Sequence, residues 1–359
     1  MSQLALKSLS KTYGAFTVFD NLNLEAAPGE IVVVFGGSGT GKTILLRLIA
    51  GVEDPTSGTI ELEGRDVMDV PPEHRNVGMA FQNFALFPHM SARDNIASPL
   101  RARSASVADT TSSVDAIAKL LKIEHVMGHA PRELSNGQKQ RTSLGRALAG
   151  KPKILLLDDP LRNVDAKLRY EMRLELPRLL RQSGATVLYV TQDYKEAMAL
   201  GDRIAVLQGG MFVQLASPTE IYEKPATLQV ARLFGDPVIN SVEAVIQVEG
   251  KKANVDIAGL SVPLSSEFKH LQGKTVIACF RPEAAQFAKS KSGIEVELLA
   301  VTPLNERTVL LLKARNGQEF LASLPSTAAV PKADRPLTVS ISAADLHLFD
   351  EDTGARIDG

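Results

Sequence analysis

The chain has 359 residues, which is more than one ordinary hydrophobic core accommodates, so we expect two domains. Apolar residues make up 44% and charged residues 23%, as is typical of soluble globular proteins. The formal net charge of −1 excludes a general attraction to nucleic acid or anionic lipid, although it is compatible with a local basic patch. The single cysteine, Cys279, excludes an intrachain disulfide and fits a reducing compartment.

The sequence predicts no membrane-spanning helix. The longest apolar runs, such as Ile31–Phe35 and Ile154–Leu157, are strand-sized and far below the roughly 20 residues that a spanning helix needs. The amino-terminal segment lacks a basic stretch followed by a long apolar core, so we expect no secretory signal. If the protein works at a membrane, we expect it to dock on other subunits.

Residues 1 to about 235 alternate β-branched apolar runs with longer helical patterns, which predicts an α/β domain with a mainly parallel sheet. Ile31–Phe35 and Ile154–Leu157 are predicted as buried strands. Between them, apolar residues at helical spacing predict an amphipathic helix over 112–123. The small, polar stretch from Ser104 to Ser113 is predicted to be a loop.

A glycine-rich segment follows the first buried strand and matches the pattern G-x-x-x-x-G-K-[ST]: Gly36-Gly37-Ser38-Gly39-Thr40-Gly41-Lys42-Thr43. Ile44 to Ile49 continue it as a helix that Gly51 closes. Glycines let backbone N–H groups converge on phosphate oxygens, and the helix start adds partial positive charge. We expect Lys42 to reach the β- and γ-phosphates of a nucleotide and the Thr43 hydroxyl to ligate Mg²⁺. The alternative, a chance glycine-rich turn, does not account for the strand–loop–helix context.

Asp158 ends the second buried strand. Parallel strands deliver their carboxyl ends to one edge of a sheet, so we expect this carboxylate to anchor Mg²⁺ beside the phosphate loop. An aspartate after four aliphatic residues is also a common strand terminator. The phosphate loop favours the functional interpretation.

Beyond residue 237 the sequence changes to short β-favouring runs, at 242–248, 275–280, 294–299 and 337–341. Two further runs, 309–313 and 320–324, flank Asn316-Gly317, which is a strong hairpin signal. Residues 240–359 therefore predict a small β-rich, barrel-like domain. Cys279 lies in one of its predicted strands, where we expect an ordinary buried core residue.

Several further segments resemble the ATP-binding cassette family, and the resemblance covers nearly the whole chain. Leu134-Ser135-Asn136-Gly137-Gln138 is similar to the signature sequence of that family. Ser135 and Gln138 also form a capping-box pattern, so this helix start offers backbone donors to a phosphate. In the family, the signature helix presents these donors to the nucleotide held by the other subunit of a head-to-tail dimer. A plain helix cap is the alternative.

The resemblance implies further roles. Tyr13 matches the aromatic residue that stacks on adenine, Gln82 matches the glutamine that touches Mg²⁺ and senses the γ-phosphate, and 163–165 match the loop that crosses the dimer interface. The stretch 84–96 resembles the surface that receives coupling helices from membrane subunits. The predicted nucleotide-binding set comprises Tyr13, Gly36, Gly37, Ser38, Gly39, Thr40, Gly41, Lys42, Thr43, Ile44, Gln82, Ser135, Asn136, Gly137 and Gln138. The predicted Mg²⁺ ligands are Thr43, Gln82 and Asp158.

Within the family the pattern is closest to importers of sugars and polyols, on 161–169, 222–225, Arg281-Pro282-Glu283 and Phe349-Asp350. The resemblance implies a P-loop nucleotide-binding domain over 1–235, with a helical subdomain at about 90–150. It also implies an oligonucleotide-fold-like (TOBE-type) accessory domain over 236–359. Such barrels also bind nucleic acid in other proteins, but the neutral net charge argues against that here.

Two positions depart from the family pattern where the chemistry occurs. Asp159 stands where the family usually has the glutamate that polarises the attacking water, and it is shorter by about 1.5 Å. A misplacement of roughly 1 Å can cost on the order of 10²-fold in rate. Gln192 stands where the family has histidine; it can donate a hydrogen bond to the γ-phosphate but carries no charge. With Lys42 these are the predicted catalytic residues, and we expect good ATP binding with poor hydrolysis.

The signature is changed only mildly, since Asn136 replaces a glycine while Ser135 and Gly137 remain. In a head-to-tail pair, the altered groups serve this chain's own site and the signature serves the partner's. This predicts a heterodimer with a second, intact ATPase chain. Within the sugar and polyol group, importers with two different ATPase chains resemble the importers of glycerol-like polyols. A largely non-catalytic regulatory subunit, and a soluble cassette protein acting on DNA or ribosomes, are the alternatives.

The resemblance implies the remaining partners and the location. We expect two transmembrane permease subunits docking near Gln82–Ile96, an extracytoplasmic solute-binding protein in the same system, and no nucleic acid. The chain is then peripheral, at the cytoplasmic face of the inner membrane. ATP and Mg²⁺ are the expected ligands, because the histidines show no metal-ligand spacing for another metal.

Overall fold

The computed structural model describes residues 2–250, 252–287, 293–331 and 336–358. These fall into two compact units, Met1–Thr219 and Glu220–Gly359. Residues 220–235 group with the second unit, although composition alone changes only after residue 235. The boundary after residue 235 is therefore retained only as a prediction from composition.

The first unit contains ten strands and six helices among its described residues. The strands are Leu4–Tyr13 (β1), Phe16–Ala26 (β2), Ile31–Phe35 (β3), Ser57–Leu62 (β4), Arg65–Asp66 (β5), Val77–Ala80 (β6), Ile154–Asp158 (β7), Thr186–Thr191 (β8), Arg203–Gln208 (β9) and Met211–Ala216 (β10). The helices are Lys42–Ala50 (α1), Ala92–Ala102 (α2), Val107–Leu120 (α3), Asn136–Ala149 (α4), Ala166–Ser183 (α5) and Tyr194–Leu200 (α6).

The central sheet of the first unit has the order β10-β9-β3-β8-β7-β6. Strands β9, β3, β8, β7 and β6 are parallel, and β10 pairs antiparallel at the edge. Every residue of β3, β7 and β8 is buried, as continuous apolar runs in a covered parallel sheet require. A second, antiparallel sheet, β2-β1-β4-β5, shares a hydrophobic core with α1 and the central sheet. The predicted strands, and the helix that Gly51 closes, are confirmed.

The predicted loop from Ser104 to Ser113 is wrong, because α3 already begins at Val107. The Ser106 hydroxyl accepts a hydrogen bond from the Asp109 backbone N–H at 3.1 Å and caps the helix. The polar residues that suggested a loop occupy the exposed face, while Thr110 and Val114 lie on the buried one. The helix also ends earlier than predicted, at Leu120.

The second unit is β-rich. Helix α7, Pro218–Glu223, spans the boundary between the units, and α8 is Leu228–Leu233. The strands are Asn240–Glu249 (β11), Lys252–Ile257 (β12), Leu260–Leu264 (β13), Thr275–Phe280 (β14), Gln286–Phe287 (β15), Ile294–Pro303 (β16), Arg307–Ala314 (β17), Glu319–Pro325 (β18), Leu337–Ser340 (β19), Leu346–Asp350 (β20) and Arg356–Ile357 (β21).

These strands form two antiparallel sheets, β13-β12-β11-β14-β20-β21 and β15-β19-β16-β17-β18, which share one core. The predicted hairpin is confirmed: β17 and β18 pair, and Gly317 takes a φ of 89° in the turn between them. Cys279 is fully buried on β14, as expected. The buried Arg281 donates hydrogen bonds to the carbonyls of Ala231 and Phe234, which explains why α8 groups with this unit.

Candidate functional site

The loop between β3 and α1 has the geometry of an anion cradle. Gly39 and Gly41 take φ angles of 81° and 93°, in the left-handed region that glycine adopts without strain. A Cβ on Gly41 would also lie 2.6 Å from Val18 Cγ1 and 2.8 Å from the Phe19 ring. The loop therefore requires glycine here for both its backbone conformation and its close approach to β2.

Lys42 is buried at the start of α1, with its ammonium folded back over the loop. Its Nζ donates hydrogen bonds to the Gly36 carbonyl at 2.8 Å and the Gly37 carbonyl at 2.6 Å. Burial lowers the pKa of Lys42, while the carboxylates of Asp159 and Asp158 oppose that shift. The ammonium is thus a cation with only neutral hydrogen-bond acceptors, and phosphate oxygens would be stronger partners.

Thr43 and Asp158 meet across the site, although 115 residues separate them in the chain. The Thr43 hydroxyl donates a hydrogen bond to Asp158 Oδ1 at 3.0 Å. Burial raises the pKa of Asp158, and this hydrogen bond partly offsets the shift. Oxygen ligands of this kind suit Mg²⁺, which usually takes one or two protein oxygens and fills its octahedron with water and phosphate. The two side chains therefore fit the predicted metal.

Asp159 follows Asp158 in a left-handed conformation, with a φ of 42°. Its backbone N–H donates to the Val190 carbonyl at 2.9 Å, which fixes the residue at the end of β8. Burial raises the pKa of Asp159, and the charge of Arg162, 3.8 Å away, lowers it. Aspartate is one of the few non-glycine residues that adopt this conformation readily, and here Asp159 lines the site.

These groups line one open cavity of about 240 Å³. Its lining residues are Ser38, Gly39, Gly41, Lys42, Thr43, Ile44, Gln82, Asp158, Asp159, Arg162, Val190 and Gln192. All three predicted catalytic residues and all three predicted Mg²⁺ ligands are among them. Arg162 was missed by the sequence analysis; its only signal is its position three residues after Asp159.

Eight predicted nucleotide-binding residues, all in the first unit, lie outside that cavity lining. Tyr13 is 47% exposed at the end of β1, and its hydroxyl donates a hydrogen bond to Glu53 Oε2. Lys11 Nζ lies 4.7 Å from the centroid of its ring. The remaining predicted residues outside the lining are Gly36, Gly37, Thr40 and the signature segment 135–138. The Thr40 hydroxyl donates to the Gly37 carbonyl at 3.0 Å, within the loop.

The signature segment forms the predicted capping box at the start of α4. The Ser135 backbone N–H donates to Gln138 Oε1 at 2.9 Å, and the Gln138 N–H donates to Ser135 Oγ at 3.3 Å. An added Cβ at Gly137 would lie 2.5 Å from Leu168 Cδ2, so a larger residue here needs that leucine side chain to move. None of residues 135–138 is among the lining residues of the cavity.

Gln82 connects the cavity to the helical part of the unit. Its carbonyl accepts a hydrogen bond from Asn163 Nδ2 at 2.8 Å. Phe84 and Ala85, just after it, take φ angles of 64° and 47°. Ser143 Oγ donates to the Phe84 carbonyl at 2.8 Å and Arg146 to the Ala85 carbonyl at 2.6 Å, so α4 fixes this segment.

A second, larger cavity of about 490 Å³ lies beside this segment, which we call the lateral groove. It is open and mainly apolar, with Arg146 stacked 5.4 Å from the Phe87 ring. Its lining residues are Val77, Gly78, Met79, Phe81, Ala85, Phe87, Ser98, Pro99, Ala102, Arg103, Arg146, Ala147, Gly150 and Pro152. The groove thus overlaps the predicted docking surface and extends it to α4 and the end of α2.

A buried carboxyl group lies beside the end of β8, which borders the cavity. Glu196, on α6, is 1% exposed, and its Oε2 accepts hydrogen bonds from Tyr189 at 2.8 Å and Thr191 at 2.9 Å. Burial raises the pKa of Glu196 to about 7, against the two hydrogen bonds, and the charges of Asp193 and Asp159 raise it further. The carboxyl group thus ties α6 to the end of β8, next to Gln192.

Residues 19–162 match the family model described as ABC transporter. The sn-glycerol-3-phosphate import ATP-binding protein UgpC of Cereibacter sphaeroides is 39% identical over 360 residues, covering 99% of this chain and all of that protein. The chain belongs to the ABC transporter family. Another member, the sulfoquinovosyl glycerol transport ATP-binding protein SmoE of Agrobacterium fabrum, is 37% identical over 99% of this chain and all of that protein.

A solved ATP-binding cassette, a dimer in a post-hydrolysis state bound to ADP and Pi, has 30% sequence identity and a TM-score of 0.54. The match covers 60% of this chain and 98% of that one. The fold is that of an ABC-type P-loop ATPase followed by a β-rich domain, and membership of this family implies ATP binding. Among the described residues, no helix combines the length and apolar character needed to span a membrane.

The buried Glu196 predicts a pH-dependent stability. Because its pKa rises from 4.5 to about 7, the folded chain holds this proton more tightly than the unfolded chain. The contribution of this bound proton to the free energy of unfolding is fully present below pH 4.5 and is lost as the pH rises through about 7. We expect Glu196→Gln, which cannot ionise, to gain on the order of 3 kcal/mol in unfolding free energy relative to wild type between pH 4.5 and 8, measured in urea. Glu171→Gln, at an exposed site on α5, is the control; equal pH profiles for Glu196→Gln and wild type would contradict the prediction.

Proposed function

We propose that this protein is the ATP-binding subunit of an ABC importer, in which ATP binding and hydrolysis drive uptake of a small solute. The observation that carries the proposal is the cavity in which Lys42, the Thr43–Asp158 pair and Asp159 converge at one sheet edge. The full-length similarity to two import or transport ATP-binding proteins supports the same function. The second, β-rich unit is included in that similarity.

In this proposal the phosphate loop and Lys42 bind the phosphates of ATP. Thr43, Asp158 and Gln82 hold Mg²⁺, which would neutralise phosphate charge when bound. Asp159 orients the attacking water, and Gln192 donates a hydrogen bond to the terminal phosphate. Tyr13 stacks on adenine, and Ser135–Gln138 serve the nucleotide of the partner subunit.

The proposed solute is a sugar or polyol, with a glycerol derivative as the best candidate. Two relatives that match over their whole length are named for sn-glycerol-3-phosphate and sulfoquinovosyl glycerol, which share a glycerol moiety. Specificity in such a system would lie in the membrane and solute-binding subunits. The glycerol assignment therefore rests on similarity rather than on a pocket in this chain.

We further propose that two permease subunits complete the assembly and dock near Gln82–Ile96, at the cytoplasmic face of the inner membrane, and that one of them occupies the lateral groove of this chain. An extracytoplasmic solute-binding protein would complete the system. The groove is apolar and open, and the 82–85 segment joins it to the nucleotide cavity through the Asn163 and Arg146 hydrogen bonds. A helix docked there would sense changes at Gln82.

We also propose that this chain's own site hydrolyses ATP slowly. Asp159 has a shorter side chain than glutamate, and Gln192 carries no charge to stabilise the developing phosphoryl charge. The signature, changed only at Asn136, would then serve a second, different ATPase chain in a heterodimer. The same two residues favour the second candidate function, a largely non-catalytic ATP-binding regulatory subunit.

The docking proposal predicts the effect of filling the lateral groove. We expect Ala102→Arg, at the rim of the groove, to abolish co-purification of membrane subunits while ATP affinity stays within about twofold of wild type. Ala108→Arg adds the same charge at an exposed position of α3 outside the groove and should retain the membrane subunits. Wild-type recovery of membrane proteins with Ala102→Arg would refute docking at this groove.

The impaired-site proposal predicts a gain of function. We expect Asp159→Glu combined with Gln192→His to raise transport-coupled ATP hydrolysis by on the order of 10- to 10²-fold in the purified membrane complex. Adding Lys42→Ala to this variant should abolish the gain, which ties it to this chain's cavity. If hydrolysis does not rise at all, these residues do not limit the site.

The heterodimer proposal predicts the composition of the assembly. Native mass spectrometry of the complex purified through a tag on this chain should find one copy of it beside one different ATPase chain. Two copies of this chain and no other ATPase would rule out the heterodimer. Sites with Asp159 and Gln192 would then sustain whatever hydrolysis the transporter has.

A further inference from the structure

Arg162 is a second cation at the nucleotide cavity. It lies in the turn after β7, where its backbone N–H donates to the Asp159 carbonyl at 3.2 Å. Arg169 donates to the Arg162 carbonyl, also at 3.2 Å. The backbone is therefore fixed from two sides, while the side chain is 46% exposed and lines the cavity.

The charges around the cavity distinguish Arg162 from Lys42. Lys42 Nζ already has two carbonyl acceptors at 2.8 and 2.6 Å. The guanidinium of Arg162 instead faces Asp159, with NH1 3.8 Å from Oδ2, which is an ion pair longer than a hydrogen bond. Arg162 and Lys42 both line the cavity, so the two cations border the same space.

Gln192 lines the same cavity and is neutral. In a triphosphate the terminal group carries more negative charge than either of the other two phosphates, so a second cation near a terminal group between Lys42 and Gln192 has a clear electrostatic role. The planar guanidinium is suited to it, because its fork of N–H donors matches two phosphate oxygens. A half-exposed side chain on a fixed backbone can reach such a group by rotation about its own bonds.

We propose that Arg162 recognises the terminal phosphate of ATP and thereby makes this site prefer ATP over ADP, a role that rests on the nucleotide-binding function proposed above. The guanidinium exchanges its long ion pair with Asp159 for charge-assisted hydrogen bonds to the γ-phosphate. Asp159 then loses its cationic neighbour and lies unpaired beside the phosphate, where a carboxylate orients water. Arg162 supplies the positive charge that Gln192 lacks.

A purely structural role for Arg162 makes a different prediction. If the side chain served only to neutralise Asp159, Arg162→Ala in an Asp159→Asn background would leave both affinities unchanged, because no carboxylate charge remains to be neutralised. If Arg162 contacts the γ-phosphate, the same substitution still weakens binding of ATP alone. The ratio of the two affinities in the Asp159→Asn background is therefore the decisive quantity.

The test is calorimetric titration of the full-length chain with ADP and with a non-hydrolysable ATP analogue, both with Mg²⁺. We expect Arg162→Ala in the Asp159→Asn background to weaken binding of the ATP analogue by about tenfold, as for loss of one charge-assisted hydrogen bond at a half-exposed site, and ADP binding by less than about twofold. Arg162→Lys keeps the positive charge but lacks the paired N–H donors of the guanidinium, so it should recover part of the preference for the ATP analogue over ADP. Lys167→Ala removes an exposed cation nearby, outside the cavity lining, and should leave both affinities unchanged.

Equal losses for both nucleotides, or none, with Arg162→Ala in the Asp159→Asn background would overturn the role of Arg162 while leaving nucleotide binding intact. Failure of the wild-type chain to bind either nucleotide would instead refute the proposed function, and the role of Arg162 with it. Thermal unfolding of each variant detects any loss of the fold. Arg162→Lys then provides the comparison that does not depend on removing the side chain.

Discussion

Parallel pairing of β3, β8 and β7 is the constraint on which the candidate site depends. In register, Phe35 lies opposite Thr191, and Asp158 lies opposite Val190. The carboxyl ends of the three strands therefore stop at one level of the sheet, and the loops that follow them meet there. Residues more than 100 positions apart, such as Thr43 and Asp158, come within hydrogen-bonding distance for this reason alone.

Burial of the charged groups that this geometry brings together is unfavourable for the free energy of folding when no ligand is bound. Three of these groups, Lys42, Asp158 and Asp159, are each less than 10% exposed. Burial lowers the pKa of the lysine and raises the pKa of both aspartates, so it favours the neutral form of each. Their mutual attraction recovers only part of the solvation that they lose. Perturbed groups of this kind cluster at functional sites, and a bound polyanion with its metal would stabilise them.

The sequence was most informative where one local pattern carries both structure and chemistry. The apolar run of β3, the glycines after it and Lys42 predicted a strand, a loop and a helix start, and Asp158 followed from the end of β7. The segment 104–113 was mistaken because small polar residues on an exposed helix face look like a loop. Arg162 was missed because only the turn after β7 returns its side chain toward Asp159. The contacts of Tyr13 and Ser135 with a nucleotide stay predictions, since both lie outside the cavity lining.

Phe84 and Ala85 have a mechanical consequence. Two adjacent non-glycine residues in the left-handed region cost on the order of 1–3 kcal/mol each, and this segment persists because Ser143 and Arg146 fix its carbonyls. A small displacement of α4 that broke these two hydrogen bonds would let the segment relax. The connection between Gln82 and the lateral groove therefore depends on the position of α4.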